Sequence, residues 1–125
     1  MSPADARPRI LFVDDEPAIL RGIRNALRRD AERWDLVFAA GAQDAIDLLA
    51  VGAFDVVVTD ARMAGLDGSA VLAATSERHP RARRIVLTGY AEDHVLFELR
   101  GMAHEILIKP CSTEDLREAL RRALG

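Results

Sequence analysis

Asp14 and Asp15 follow the apolar run Ile10-Leu11-Phe12-Val13, and Asp60 follows Val56-Val57-Val58-Thr59. Two later runs end on other polar groups. Arg84-Ile85-Val86-Leu87 is followed by Thr88, and Glu105-Ile106-Leu107-Ile108 by Lys109. Groups that close separate strands of one parallel sheet converge at its C-terminal edge, where open α/β sheets bind ligands. An acid pair, a third acid, a hydroxyl and an amine together form a set suited to phosphoryl chemistry.

Each member also has a plain structural reading. Adjacent acids are common in turns. Directly after a buried strand, however, Asp14 and Asp15 crowd two negative charges together, which is costly unless a hard cation neutralises them. Mg²⁺ suits such a site because it takes one or two carboxylates, keeps several waters and completes its octahedron with phosphoryl oxygen. Asp60 adds a third carboxylate; aspartate often just ends a strand, but one facing a divalent cation can attack a phosphoryl group and form an aspartyl phosphate. Thr88 before Gly89 alone reads as turn chemistry, and Lys109 before Pro110 as a solvated strand end. A hydroxyl donor and an ammonium are also what the remaining phosphoryl oxygens need, and the joint placement favours that reading.

The elements that must position these groups follow from the hydrophobic pattern. Apolar runs alternate with helical patterns five times, which predicts repeated βα units around a parallel sheet. Strands are expected near 9–13, 36–40, 56–60, 84–88 and 105–108. Helices are expected after Pro17, with Ile19, Ile23, Ala26 and Leu27 at helical spacing, then over 43–50 and 69–78, and in a segment near 92–100. The last helix is announced by Ser112-Thr113-Glu114-Asp115, a capping signal, and runs to the end of the chain. The sequence is either a whole single domain or the leading segment of a longer protein.

With 125 residues, half of them hydrophobic and 30% charged, the chain fits one domain with a real core and not a disordered segment. The formal net charge is −3, and Arg21, Arg24, Arg28 and Arg29 spread around a solvated helix flank, so no direct nucleic-acid binding is expected. Cys111 is the only cysteine, which excludes an intramolecular disulfide and a multi-cysteine metal site. No apolar stretch approaches the roughly 20 residues that span a bilayer, and the N-terminus lacks a signal-peptide core, so a cytoplasmic protein without membrane contact is expected. His79, His94 and His104 show no ligand spacing. Trp34 reads as a packing residue beneath the turn before the second strand.

Four ordered motifs carry a resemblance: Val13-Asp14-Asp15-Glu16-Pro17, the stretch from Asp60 through Arg62-Met63 to Asp67-Gly68, Leu87-Thr88-Gly89-Tyr90, and Lys109-Pro110. Together they resemble the CheY-like receiver domain of two-component response regulators, over Pro8 to Leu124. The resemblance implies a single receiver domain over 1–125, with its core at 8–124. The implied fold is α/β: a flavodoxin-like, doubly wound, five-stranded parallel sheet of order 2-1-3-4-5, with helices on both faces. It also implies a cis peptide between Lys109 and Pro110.

The implied roles follow residue by residue. Asp60 is the phosphoacceptor; Asp15 binds Mg²⁺ directly, Asp14 acts mainly through metal-bound water, and the backbone carbonyl of Arg62 is a further ligand. Lys109 pairs with the phosphoryl group, Thr88 turns its hydroxyl toward it, and the N–H groups of Ala61 and Gly89 complete the contacts. Arg62 and Tyr90 flank the path of hydrolytic water. The partners implied are a sensor histidine kinase or phosphotransfer protein, and a C-terminal output domain or separate effector. As an enzyme the domain would do no more than phosphorylate itself from phosphohistidine or small phosphodonors and lose the group to water.

Two positions depart from the family pattern. Ala64 stands where proline commonly follows the methionine, which leaves that loop less restricted. Ile106 stands where many receivers carry a tyrosine or phenylalanine that rotates inward, so transmission is expected to rest on the helix near 92–100. Val95, Leu96, Phe97, Leu99 and Met102 exceed a narrow apolar stripe and either pack inward or offer a partner or homodimer face within 92–124. The 87–90 and 103–111 segments look like those of receivers joined to HDOD or HD-GYP output domains. The main rival is a phosphorylation-independent pseudo-receiver acting as an interaction module, against which the retained acids, Thr88 and Lys109 argue. A haloacid dehalogenase-type phosphatase would need its nucleophile after the first strand and a cap. A flavin carrier would need a phosphate loop where Asp14-Asp15-Glu16 stands.

Overall fold

The computed structural model describes residues 7–63, 67–89 and 99–125. Five strands, β1 (Arg9–Val13), β2 (Asp35–Ala39), β3 (Val56–Thr59), β4 (Arg83–Thr88) and β5 (Glu105–Ile108), form one sheet in the order β2-β1-β3-β4-β5. All neighbouring pairs are parallel. Helices α1 (Pro17–Ala26), α2 (Ala42–Val51), α3 (Gly68–Arg78) and α4 (Thr113–Leu124) accompany the sheet. This is the doubly wound α/β fold expected. The expected elements shift by no more than a residue or so at their ends. The 92–98 part of the expected helix lies outside the described residues, as do Ala64, Tyr90 and His94.

Strand alternation decides which helix packs where. Ile10 and Phe12 of β1, Val56 and Val58 of β3, and Ile85 and Leu87 of β4 share a cluster with Leu20 of α1 and Leu116, Ala119 and Leu120 of α4. Leu11, Val13 and Val57 point the other way, against Ala42, Ala45 and Leu49 of α2 and Val71 of α3. A third, smaller cluster joins Ala61, Leu72, Val86 and Leu99, with Met102, Ala103 and Ile106 half-buried against it. Leu99 and Met102 therefore pack inward, while Val95, Leu96 and Phe97 fall outside the described residues. Trp34 is buried in the first cluster, as expected.

Local chemistry sets the helix ends. Pro17 occupies the first turn of α1, where its missing N–H costs nothing. The Ser112 hydroxyl accepts the Asp115 N–H at 3.0 Å and caps α4. A 3₁₀ turn over Arg28–Glu32, which the periodicity does not announce, follows α1. Its Asp30 side chain is only 3% exposed and takes hydrogen bonds from Arg117 of α4, at 3.0 Å from Nη2, and from Arg33. That buried carboxylate gives the turn a tertiary reason to exist. The Lys109–Pro110 peptide is cis. Among the described residues, no helix is long and apolar enough to cross a membrane.

Candidate functional site

The strand ends bring the acids together as the sheet order requires. The Asp14 N–H donates to Ala39 O of β2 at 3.3 Å, and the Asp60 N–H to Val13 O of β1 at 3.0 Å, so ladder hydrogen bonds carry both residues to the same edge. One carboxylate oxygen from each of Asp14, Asp15 and Asp60 lies within 4.8 Å of the others. Asp14 and Asp60 are buried, at 3% and 7% exposure, and Asp15 is half-buried. Three carboxylates at this spacing form an all-oxygen donor set with room between them, which fits a hard divalent cation.

Lys109 reaches across from the end of β5. Its Nζ lies 3.3 Å from Asp14 Oδ2 and 3.4 Å from Asp60 Oδ2. The Lys109 N–H donates to Thr88 O at 2.7 Å, which ties its backbone to the end of β4. Thr88 itself is fully buried. The sequence-derived set Asp14, Asp15, Asp60, Thr88 and Lys109 thus sits at the ends of β1, β3, β4 and β5, with the three acids grouped together and Lys109 in reach of Asp14 and Asp60. The Arg62 N–H donates to Asp60 Oδ1 at 3.4 Å. Ile106 lies in the third cluster, on the sheet face shared with Val86.

The pocket's charges perturb one another. Burial raises the Asp60 carboxyl above its usual range, and the negative Asp14 adds to this; Lys109 and the Arg62 N–H pull the other way without cancelling it. For Lys109, burial pulls the ammonium down, but the charges of Asp60 and Asp14 outweigh it and leave the amine raised. The pocket thus favours the charged form of the lysine and disfavours that of Asp60 relative to the free side chains.

Two supporting features escape a reading by residue type. The Asp14 Oδ1 accepts the Glu16 N–H at 2.9 Å, an Asx-type turn that orients the carboxylate and uses one of its acceptor positions. Gly68 is the second. Its N–H donates to Ala61 O at 3.0 Å, and a Cβ there would stand 2.3 Å from the Asp60 carbonyl oxygen and 3.1 Å from Ala61 Cα. The only sequence signal was a glycine next to the helix-capping Asp67, whose side chain accepts the Ser69 N–H at 3.0 Å.

Comparison with known proteins agrees with this geometry. Residues 10–121 match the response regulator receiver domain family. The alginate biosynthesis transcriptional regulatory protein AlgB of Pseudomonas putida is 36% identical over 124 residues, 98% of this chain and 27% of that protein. The chain thus spans about a quarter of the length of such a curated relative. Among solved structures, the signal receiver domain of an HD domain-containing protein from Pseudomonas fluorescens is 32% identical, with a TM-score of 0.86 and 94% of each chain covered. The Thermotoga maritima response regulator protein TrrA, solved in complex with Mg(2+)-BeF, is 27% identical with a TM-score of 0.79, covering 94% of this chain and 99% of that one. With its sheet order, its acidic pocket and this family match, the chain belongs to the response regulator receiver domains of two-component systems.

Proposed function

We propose that Asp60 accepts a phosphoryl group from a phosphohistidine on a sensor histidine kinase or phosphotransfer protein. A carboxylate oxygen of Asp60 forms the new bond to phosphorus, the phosphorus–nitrogen bond of the donor breaks, and the imidazole leaves with that electron pair. The carrying observation is the Lys109 ammonium, held 3.3–3.4 Å from both Asp14 and Asp60. It places a fixed positive charge where transferred oxygens gain negative charge. Asp14, Asp15 and Asp60, with the backbone carbonyl of Arg62, are the residues that would hold Mg²⁺. Bound there, Mg²⁺ would neutralise the carboxylates and the phosphoryl oxygens. Thr88 supplies a hydroxyl to the phosphoryl group, and Arg62 flanks the approach of water.

The phosphorylated state is the output. Ile106 packs in one cluster with Ala61, the neighbour of Asp60, and with Leu99. That contact supports a relay by aliphatic packing in place of an aromatic rotation. The reader is a C-terminal output domain or a separate effector, with a homodimer through 92–124 as a further route. The likeness to the receiver of an HD domain-containing protein supports a place among receivers joined to HDOD or HD-GYP outputs. The domain extent proposed is 1–125, in the cytoplasm.

Intact mass after incubation with acetyl phosphate and Mg²⁺ tests the proposal. The expected result is a gain of one phosphoryl group that disappears without Mg²⁺ and in Asp60→Asn. No gain by a folded protein that still binds Mg²⁺ would leave the phosphorylation-independent interaction module standing.

A further inference from the structure

Away from the acidic pocket, a cavity of about 360 Å³ lies between the end of α1, the 3₁₀ turn and the edge strand β2. Arg7, Arg24 and Arg28 line it, together with Trp34, Asp35 and Phe38. None of these three arginines forms an ion pair among the described residues, whereas Arg9, Arg33, Arg117, Arg121 and Arg122 are each paired with a carboxylate. Among the described residues the one carboxylate lining the cavity, Asp35, is already taken by Arg9, at 3.1 Å from its Nε. Three arginines without an ion-pair partner among the described residues thus face one concavity, against a single carboxylate shared with Arg9, in a chain whose net charge is −3.

Two of these arginines are also partly fixed. Arg24 lies over the Phe38 ring, 4.6 Å from its centroid, and Phe38 is itself stacked on Phe12 at 5.3 Å. Arg7 donates from Nη1 to Ala31 O at 2.7 Å. A guanidinium held by its face or by one N–H keeps other N–H groups for an incoming ligand, in a fork that matches phosphate oxygens. Like charges around one cavity repel until an anion enters, and the cavity is of small-ligand size. These arginines, read from the sequence as a solvated flank, converge here with a residue from before β1.

From this we infer that the cavity is a binding site for a small phosphate-bearing polyanion of the diphosphate class. The site is separate from Asp60 and requires no metal. Trp34, the only tryptophan of the chain, lines the cavity and provides the readout.

The test is titration of the protein with inorganic pyrophosphate in EDTA at constant ionic strength, following Trp34 emission. Saturable binding is expected, with a Kd on the order of 0.1–1 mM. Arg28→Gln, at an exposed position, should weaken it about tenfold by removing a charge-assisted contact. Arg21→Gln, on α1 but outside the cavity, should leave it unchanged. Running ADP in parallel separates the sources: equal affinity identifies the diphosphate alone as the ligand, and tighter binding identifies a nucleotide. No saturable change, or equal weakening by Arg28→Gln and Arg21→Gln, would overturn the assignment, the latter by reducing it to general charge attraction.

Discussion

Lys109 holds its ammonium against two of the three carboxylates, Asp14 and Asp60. Its two roles should therefore separate on substitution. Lys109→Met is expected to bind Mg²⁺ more tightly, because the ammonium no longer competes for the carboxylates. It should also lose phosphoryl uptake by about 100-fold, the scale of losing one charge-stabilising donor. Calorimetric Mg²⁺ titration and intact-mass kinetics on the same variant check both halves. Asp30 is the opposite case, a buried acid with a purely structural task. Burial alone would raise its carboxyl, but the hydrogen bonds and charges of Arg117 and Arg33 outweigh that and hold it below the ordinary range. An acid lowered on folding stabilises above its unfolded pKa of about 3.9, and that stabilisation is lost as pH falls through the folded value. Asp30→Asn should cost about 1–2 kcal/mol in urea unfolding, a cost constant from pH 5 to 8 that shrinks below about pH 4. Residue types and order were enough to name the acids, Thr88 and Lys109, because each closes an apolar run. Asp30 was hidden because its partner Arg117 lies on α4, far along the chain.

At the scale of elements, the start of α3 lies against the backbone of Asp60 and Ala61. Gly68→Ala would place a methyl group 2.3 Å from the Asp60 carbonyl oxygen, and backbone at that distance cannot turn aside as a side chain would. The first turn of α3 must move, at a cost of about 1–3 kcal/mol, and the Asp60 backbone moves with it. Lower unfolding free energy together with slower phosphoryl uptake is the expected outcome; loss of stability with unchanged uptake would show that the loop absorbs the strain alone. The strands and helices themselves were largely readable from the sequence. β1, β3 and β4 are continuous apolar runs because both their faces are covered, and Pro17 and Ser112 mark helix starts by their own chemistry. The 3₁₀ turn after α1 was not readable, since no periodicity distinguishes Arg28-Arg29-Asp30 from a solvated helix end. The contact of Gly68 with Asp60 was equally silent, because a glycine's role there is the absence of a side chain.

Across the whole molecule the core is divided unequally. The face bearing α1 and α4 has one cluster running under β1, β3 and β4. The opposite face has two among the described residues, and the one beneath β4 and β5 has Ala61, Leu72, Val86 and Leu99 as its described buried members. Resistance to local opening follows the apolar contacts an element must surrender. Amide hydrogen exchange in rising denaturant should therefore show β1 and β3 opening only with the whole domain. β5, an edge strand whose residues are half-buried or exposed, is expected to open in a smaller unit lying about 2 kcal/mol or more below global unfolding. Uniform exchange across all five strands would contradict this. The Lys109 N–H, bonded to Thr88 O at 2.7 Å, belongs to that same unit. Its exchange rate then reports how often thermal opening withdraws the ammonium from Asp14 and Asp60, so that a backbone amide on the edge strand becomes a clock for the acidic pocket.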